Sequence, residues 1–172
     1  MANQLLKGKK GLIFGALNEQ SIAWKVAERA VEEGAEIVLT NTAVSIRMGT
    51  INQLAEKCNA IVIPADASSV ADLENLIDKT MEHFGGKFDF MLHSIGMSPN
   101  VRKGVPYDDL NYDFLSKTLD ISAISFHKAM KVARAKDAIN DWGSIVALSY
   151  QAAQRTVCEY GDMADAKALL ES

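Results

Sequence analysis

Gly11-Leu12-Ile13-Phe14-Gly15 followed by Ala16-Leu17-Asn18-Glu19-Gln20-Ser21-Ile22-Ala23 sets the plan of the chain. The first five residues are apolar and bounded by glycines, which predicts a short buried strand. Ile22, Ala23, Val26, Ala27, Ala30 and Val31 then recur at helical spacing, with Gly34 as a stop signal. The same alternation repeats outward from this unit. Strands are expected at Glu36–Thr40, Ala60–Pro64, Phe88–His93 and Gly143–Leu148. A helix near 50–58 places Ile51, Leu54 and Ala55 on one face. A second helix, capped by Ser68 or Ser69, runs through Val70, Leu73, Leu76, Ile77, Met81 and Phe84 to Gly85-Gly86. After a loop holding Pro99, Gly104 and Pro106, helical periodicity extends from about Asn111 to Ala138 with room for a break.

Strands that alternate with helices predict an α/β fold with a parallel sheet covered on both faces. The expectation is a Rossmann-like, doubly wound, three-layer arrangement. Residues 1–172 are read as one dinucleotide-binding domain, because no linker, repeat or low-complexity stretch divides them. A hydrophobic fraction of 48% in a chain of this length is enough for one sizeable core.

Charge and cysteine usage narrow the function classes. A net charge of −4, with lysines and arginines scattered, argues against nucleic acid as a partner. Cys58 and Cys158 make no disulfide framework, and no Cys/His spacing suits zinc. A reducing, cytoplasmic setting fits best. Met1 to Lys7 lacks the apolar core of a signal peptide, and no apolar run is long enough to span a bilayer.

Ligands of doubly wound sheets sit beyond the carboxyl ends of the strands. Gly15 can turn tightly there, and the helix beginning at Ser21-Ile22 offers free N–H groups to a pyrophosphate. An ordinary strand–helix turn has the same sequence, and the glycine-rich G-x-G-x-x-G is absent. Thr42 stands where an acid would hold an adenosine ribose in the common NAD pattern. Arg47, nearby, can meet a 2′-phosphate or simply be solvated. NADH is therefore only slightly favoured over NADPH. Asp66 can accept from an adenine amino group or close its own turn. Ser94-Ile95-Gly96 lets backbone pass a flat ligand, or is a plain loop. His93 reads as a satisfied strand-end residue.

The strongest chemical signal lies after the last strand. Tyr150 follows it directly, and Tyr160 and Lys167 come next, seven residues apart. On a helix that spacing turns through about 700°, so both project from nearly one face. An ammonium beside a phenol favours developing phenolate and can also donate to ligand hydroxyls.

Gly15-x5-Ser21-Ile22-Ala23, Asp66, His93-Ser94-Ile95-Gly96, Asp120-Ile121-Ser122, Leu148-Ser149-Tyr150 and Tyr160-x2-Met163-x3-Lys167-Ala168 together resemble the bacterial enoyl-acyl-carrier-protein reductases, a divergent branch of the short-chain dehydrogenases/reductases. The resemblance runs through essentially the whole chain. It implies NAD(P)H-dependent reduction of trans-2-enoyl thioesters on acyl carrier protein, in fatty acid elongation, by a homotetramer. It implies dinucleotide contacts from Gly15, Ser21, Ile22, Thr42, Asp66, Ala67 and Ile95, and a ribose bond from Lys167. Tyr160 is expected to donate to the thioester carbonyl, and Tyr150 and Ser98 to line the acyl pocket.

Family members continue past the helix in which Leu169-Leu170-Glu171-Ser172 falls, through further strands, a cofactor loop and a substrate lid. The expectation is a sheet that lacks these C-terminal strands and leaves strand five as an open edge. Two other functions stay open on the residues: a nucleotide-binding fragment without turnover, and a carbonyl or alcohol dehydrogenase of the wider superfamily.

Overall fold

The computed structural model of the protein describes residues 3–172. Five parallel strands form one sheet: β1 (Lys10–Phe14), β2 (Glu36–Asn41), β3 (Ile61–Pro64), β4 (Phe88–His93) and β5 (Ile139–Ala147). Their spatial order is β3-β2-β1-β4-β5, so the chain winds one way from β1 and then reverses across it. β1 is central because its buried residues face both sides. Leu12 and Phe14 point into one core with Leu73, Leu76, Ile77, Phe88 and Val132; Ile13 points into the other with Trp24, Ala27, Leu39 and Leu54. A buried aliphatic side chain of this kind contributes about 1.5–3 kcal/mol.

The first core is closed by helices α4 (Val70–Phe84) and α7 (Ser125–Ala135), the second by α1 (Ile22–Glu32) and α3 (Ile51–Cys58). This is the Rossmann-like three-layer arrangement that the alternating pattern predicts. Ser69, rather than Ser68, caps α4 by accepting from the Asp72 amide at 3.3 Å. Gly85 ends that helix in the left-handed region at φ 69°, and the Gly86 amide reaches back to Met81 O at 2.8 Å.

Several features refine or depart from the sequence reading. A short helix α2 (Ala43–Met48) follows β2, started by the Thr42 side chain. The loop after β4 contains a single turn, α5 (Pro99–Arg102), capped by Ser98. The expected break in the long helix is a π-helical turn, Asp120–Ile124, between α6 (Tyr112–Leu119) and α7. β5 begins four residues before the expected Gly143, with an irregularity opposite Phe88–Phe90 where Trp142 takes φ 62°. The last helix is α8 (Gly161–Glu171), and Tyr160 is its cap rather than a helical residue. Among the described residues no helix is long and apolar enough to cross a membrane.

Candidate functional site

All five strands end on one rim, and the residues there are arranged as follows. Gly15 ends β1 with φ 89°, and its amide donates to Thr40 O at 3.1 Å. A Cβ at this position would overlap the Ser94 carbonyl. Gly15 therefore lets the ends of β1 and β4 pack backbone against backbone. Asn41, at the end of β2, ties the same turn down: its Nδ2 donates to Ala16 O at 2.9 Å, and its Oδ1 accepts from the Thr42 amide at 2.9 Å.

The Ser21 hydroxyl is used inside the turn. It donates to Asn18 O at 2.6 Å and accepts from the Leu17 amide at 3.1 Å. It makes no capping bond, so the first amides of α1 lack a side-chain partner. By contrast, α2, α4, α5 and α6 are each capped by a side chain. An uncapped helix N-terminus directly after β1 is a ready anion seat, and it fits a pyrophosphate. Ile22 beside it is exposed.

Further round the rim, Thr42 donates to Ser45 Oγ at 2.9 Å and accepts from its amide at 3.2 Å. Asp66 closes its own turn by accepting from the amide and hydroxyl of Ser68, at 2.9 and 2.7 Å. Ala67 is buried, whereas Asp66 is exposed. Ile95 is partly buried and packs its side chain against the core on the α4–α7 face of the sheet.

Lys167 is 6% exposed, and its ammonium donates to Leu148 O at 2.7 Å and Ile95 O at 3.3 Å. These carbonyls lie just past β5 and β4, so the lysine bridges the two strand ends. Two of its three protons are thereby used and one is left for a ligand. Burial pulls its pKa below the ordinary lysine value. Tyr160 packs on Tyr150 with ring centroids 4.8 Å apart. Burial, and then Tyr150, push the Tyr160 phenol above the usual tyrosine range. No hydrogen bond joins Tyr160 to Lys167 among the described residues. Burial thus favours the protonated phenol at Tyr160.

His93 is fully buried between the rings of Phe14 and Phe126 and shares a 2.9 Å hydrogen bond with Ser125 Oγ. Burial, helped by the Lys167 charge, lowers its pKa to about 4. It is neutral, but its buried Nδ1 has no hydrogen-bond partner among the described residues, so the expected satisfied strand-end histidine is satisfied at Nε2 alone. Ser98 is buried too; its hydroxyl donates to Asp162 Oδ1 at 2.5 Å and accepts from the Val101 amide at 3.0 Å.

Asp162 is a residue that sequence reasoning passes over. It is fully buried and also lies 2.8 Å from Asn100 Nδ2 and 2.9 Å from Thr118 Oγ1. Its partners are 44 to 64 positions away, so no local pattern reveals them. Asn41 is legible as a strand-end residue, but its tie to Ala16, 25 positions away, is not.

Comparison with known proteins places this geometry. Residues 15–172 match the family model described as enoyl-(acyl carrier protein) reductase. An enoyl-[acyl-carrier-protein] reductase [NADH] 2 of Rhizobium meliloti is 34% identical over 171 residues, which is 99% of this chain and 62% of that protein. A crystal structure of FabI from Alistipes finegoldii is 88% identical with a TM-score of 0.97, covering 99% of this chain and 65% of its own. A FabI–NADH complex from the same organism is 89% identical with a TM-score of 0.97, over 98% of this chain and 59% of that one. The chain thus spans less than two thirds of the length of these relatives. With its parallel sheet, its Tyr150–Tyr160 pair and its rim-bridging Lys167, the chain belongs to the enoyl-(acyl carrier protein) reductase family.

Proposed function

We propose that this chain forms the dinucleotide-binding part of an NADH-dependent enoyl-acyl-carrier-protein reductase, acting on trans-2-enoyl thioesters during fatty acid elongation. The observation that carries the proposal is Lys167 fixed across the ends of β4 and β5, on the helix whose N-terminal cap is the aromatic-packed Tyr160. The relatives' names, which specify NADH, support the cofactor.

On this reading the first amides of α1 hold the pyrophosphate. Gly15, Ser21, Ile22, Thr42, Asp66, Ala67 and Ile95 border the dinucleotide. The remaining Lys167 proton goes to the nicotinamide ribose. NADH, when bound, would supply hydride to C3 of the enoyl group, and the resulting enolate would take up a proton from solvent at C2. The Tyr160 hydroxyl donates a hydrogen bond to the thioester oxygen as that oxygen gains negative charge. A phenol held protonated stabilises charge only as it develops, which lowers the barrier rather than merely tightening binding. Tyr150, stacked against Tyr160 and 41% exposed, offers its outer face to the acyl chain. Ser98 is assigned to the same pocket only through its backbone, since its hydroxyl is committed. The protein works in the cytoplasm as a homotetramer on the same family grounds.

Loss of NADH absorbance with a crotonyl thioester tests the proposal, run with NADH and NADPH on this chain and on a C-terminally extended one. Oxidation of NADH by the extended chain is expected. Binding of NADH without turnover in both would leave a nucleotide-binding module. Activity on an alcohol but not on the thioester would assign the chain to the wider dehydrogenases instead.

A further inference from the structure

The buried carboxylate of Asp162 is not accounted for by cofactor or substrate. It lies at the second position of α8, directly after the cap Tyr160 and Gly161. Three side chains from two other elements converge on it. Ser98, the cap of α5, donates to Oδ1 at 2.5 Å; Asn100 of α5 donates to Oδ2 at 2.8 Å. The Thr118 hydroxyl of α6 divides its proton between Oδ2 at 2.9 Å and Phe114 O at 2.8 Å. Asn100 extends the cluster, since its side chain also donates to Asn111 O at 3.1 Å and accepts from the Asn111 amide at 3.2 Å. Asn111 in turn caps α6. One carboxylate therefore locks α5, α6 and the start of α8 together.

The backbone at Tyr160 shows why such a lock is needed. Glu159 and Gly161 both sit in the left-handed region, at φ 61° and 45°. Tyr160 between them has no regular helix to set its direction and makes no capping bond. Its orientation must be imposed by neighbours, as for any residue held in sparsely populated backbone. Downstream, α8 is fixed by Lys167 to the carbonyls of Ile95 and Leu148. Upstream, the first firm tertiary anchor after Tyr160 is Asp162.

We propose that Asp162, with Ser98, Asn100 and Thr118, is a positioning residue that fixes the start of α8 against α5 and α6, and thereby sets where the Tyr160 phenol stands. This rests on the enoyl reductase reading above. The lock touches no reacting atom. It acts by fixing where the phenol stands when charge develops on the thioester oxygen.

Asp162→Asn keeps the size of the side chain but replaces one acceptor oxygen with a donor, so at least one of the three donors loses its partner. The test uses the C-terminally extended chain, with turnover on crotonyl thioester and the NADH dissociation constant measured separately. The expected result is a fall in kcat of about 10- to 100-fold, the scale of an ångström-level misplacement. The NADH dissociation constant should change less than about threefold, because Lys167 and the α1 amides are untouched. Thr118→Val removes a single donor and should show the same split at smaller amplitude, which covers the case in which Asp162→Asn does not fold. A folded Asp162→Asn with wild-type kcat overturns the proposal. So does a parallel loss of kcat and NADH affinity that follows the melting temperature, which marks a purely structural role. Failure of the unsubstituted extended chain to oxidise NADH with the thioester overturns instead the reading on which the proposal stands.

Discussion

Tyr160, Lys167 and His93 show how burial sets the chemistry of single residues. Because burial raises the Tyr160 pKa, the phenol keeps its proton throughout the neutral range. Turnover that depends on that proton should stay level up to the ordinary tyrosine range and decline only above about pH 10. Tyr160→Phe should lower kcat by roughly 10- to 1,000-fold, the scale for losing one oxyanion donor. Unchanged turnover would remove Tyr160 from the mechanism. Lys167→Ala should act mainly on the cofactor. Losing a charged hydrogen bond to ribose weakens NADH by about 10- to 100-fold, and a wild-type dissociation constant would contradict the ribose role. His93 titrates in the opposite sense to the tyrosine. Its folded pKa falls from 6.5 to about 4. Above pH 6.5 both folded and unfolded imidazoles are neutral. As pH falls from 6.5 towards 4, the unfolded chain takes up a proton that the folded chain refuses, so stability drops. The full shift corresponds to roughly 3 kcal/mol. Urea midpoints between pH 7 and 4.5 should therefore slope less steeply for His93→Asn than for the unsubstituted protein.

At the scale of elements, the β1–α1 unit joins local pattern to tertiary need. Gly15 is readable in the sequence as a turn glycine, but its reason is not. It is required by φ 89° and by the Ser94 carbonyl across the sheet. Gly15→Ala should cost about 2–5 kcal/mol, combining left-handed backbone with overpacking. A denaturation midpoint close to wild type would show that β1 and β4 can part at little cost. Periodicity alone reveals the strands, α1, α3 and α4, because each buries one apolar stripe against a flat sheet. It does not reveal α2 and α5, which are single short turns held by side-chain caps at Thr42 and Ser98. Nor does it reveal the π-helical turn, since Asp120–Ile124 keeps nearly the helical repeat while shifting Ser122 to bond Met97. The site divides in the same way. Tyr150, Tyr160 and Lys167 are visible because they lie within one short stretch. Asn100, Thr118 and Asp162 are not, because their meaning comes from partners on other elements.

Across the whole molecule, the two sheet edges are unequal. β3 is a four-residue strand that ends at Pro64, whose ring cannot donate to a further strand. β5 runs nine residues, pairs among the described residues with β4 alone, and leaves Asp141 to Ser144 and Val146 exposed. Trp142 projects fully into solvent there, and Val146 is 48% exposed. A long, partly apolar edge with free backbone groups invites pairing with another chain. The 172-residue chain should therefore associate as its concentration rises, and light scattering will read the mass. Val146→Lys places a charge on that edge without touching either core, so it should weaken the association while leaving the circular dichroism spectrum unchanged. A chain that stays monomeric throughout, with or without the lysine, would mean that β5 is protected by its own irregularity at Trp142. The bulge would then already twist the edge out of reach, as bulged edges do in other sheets.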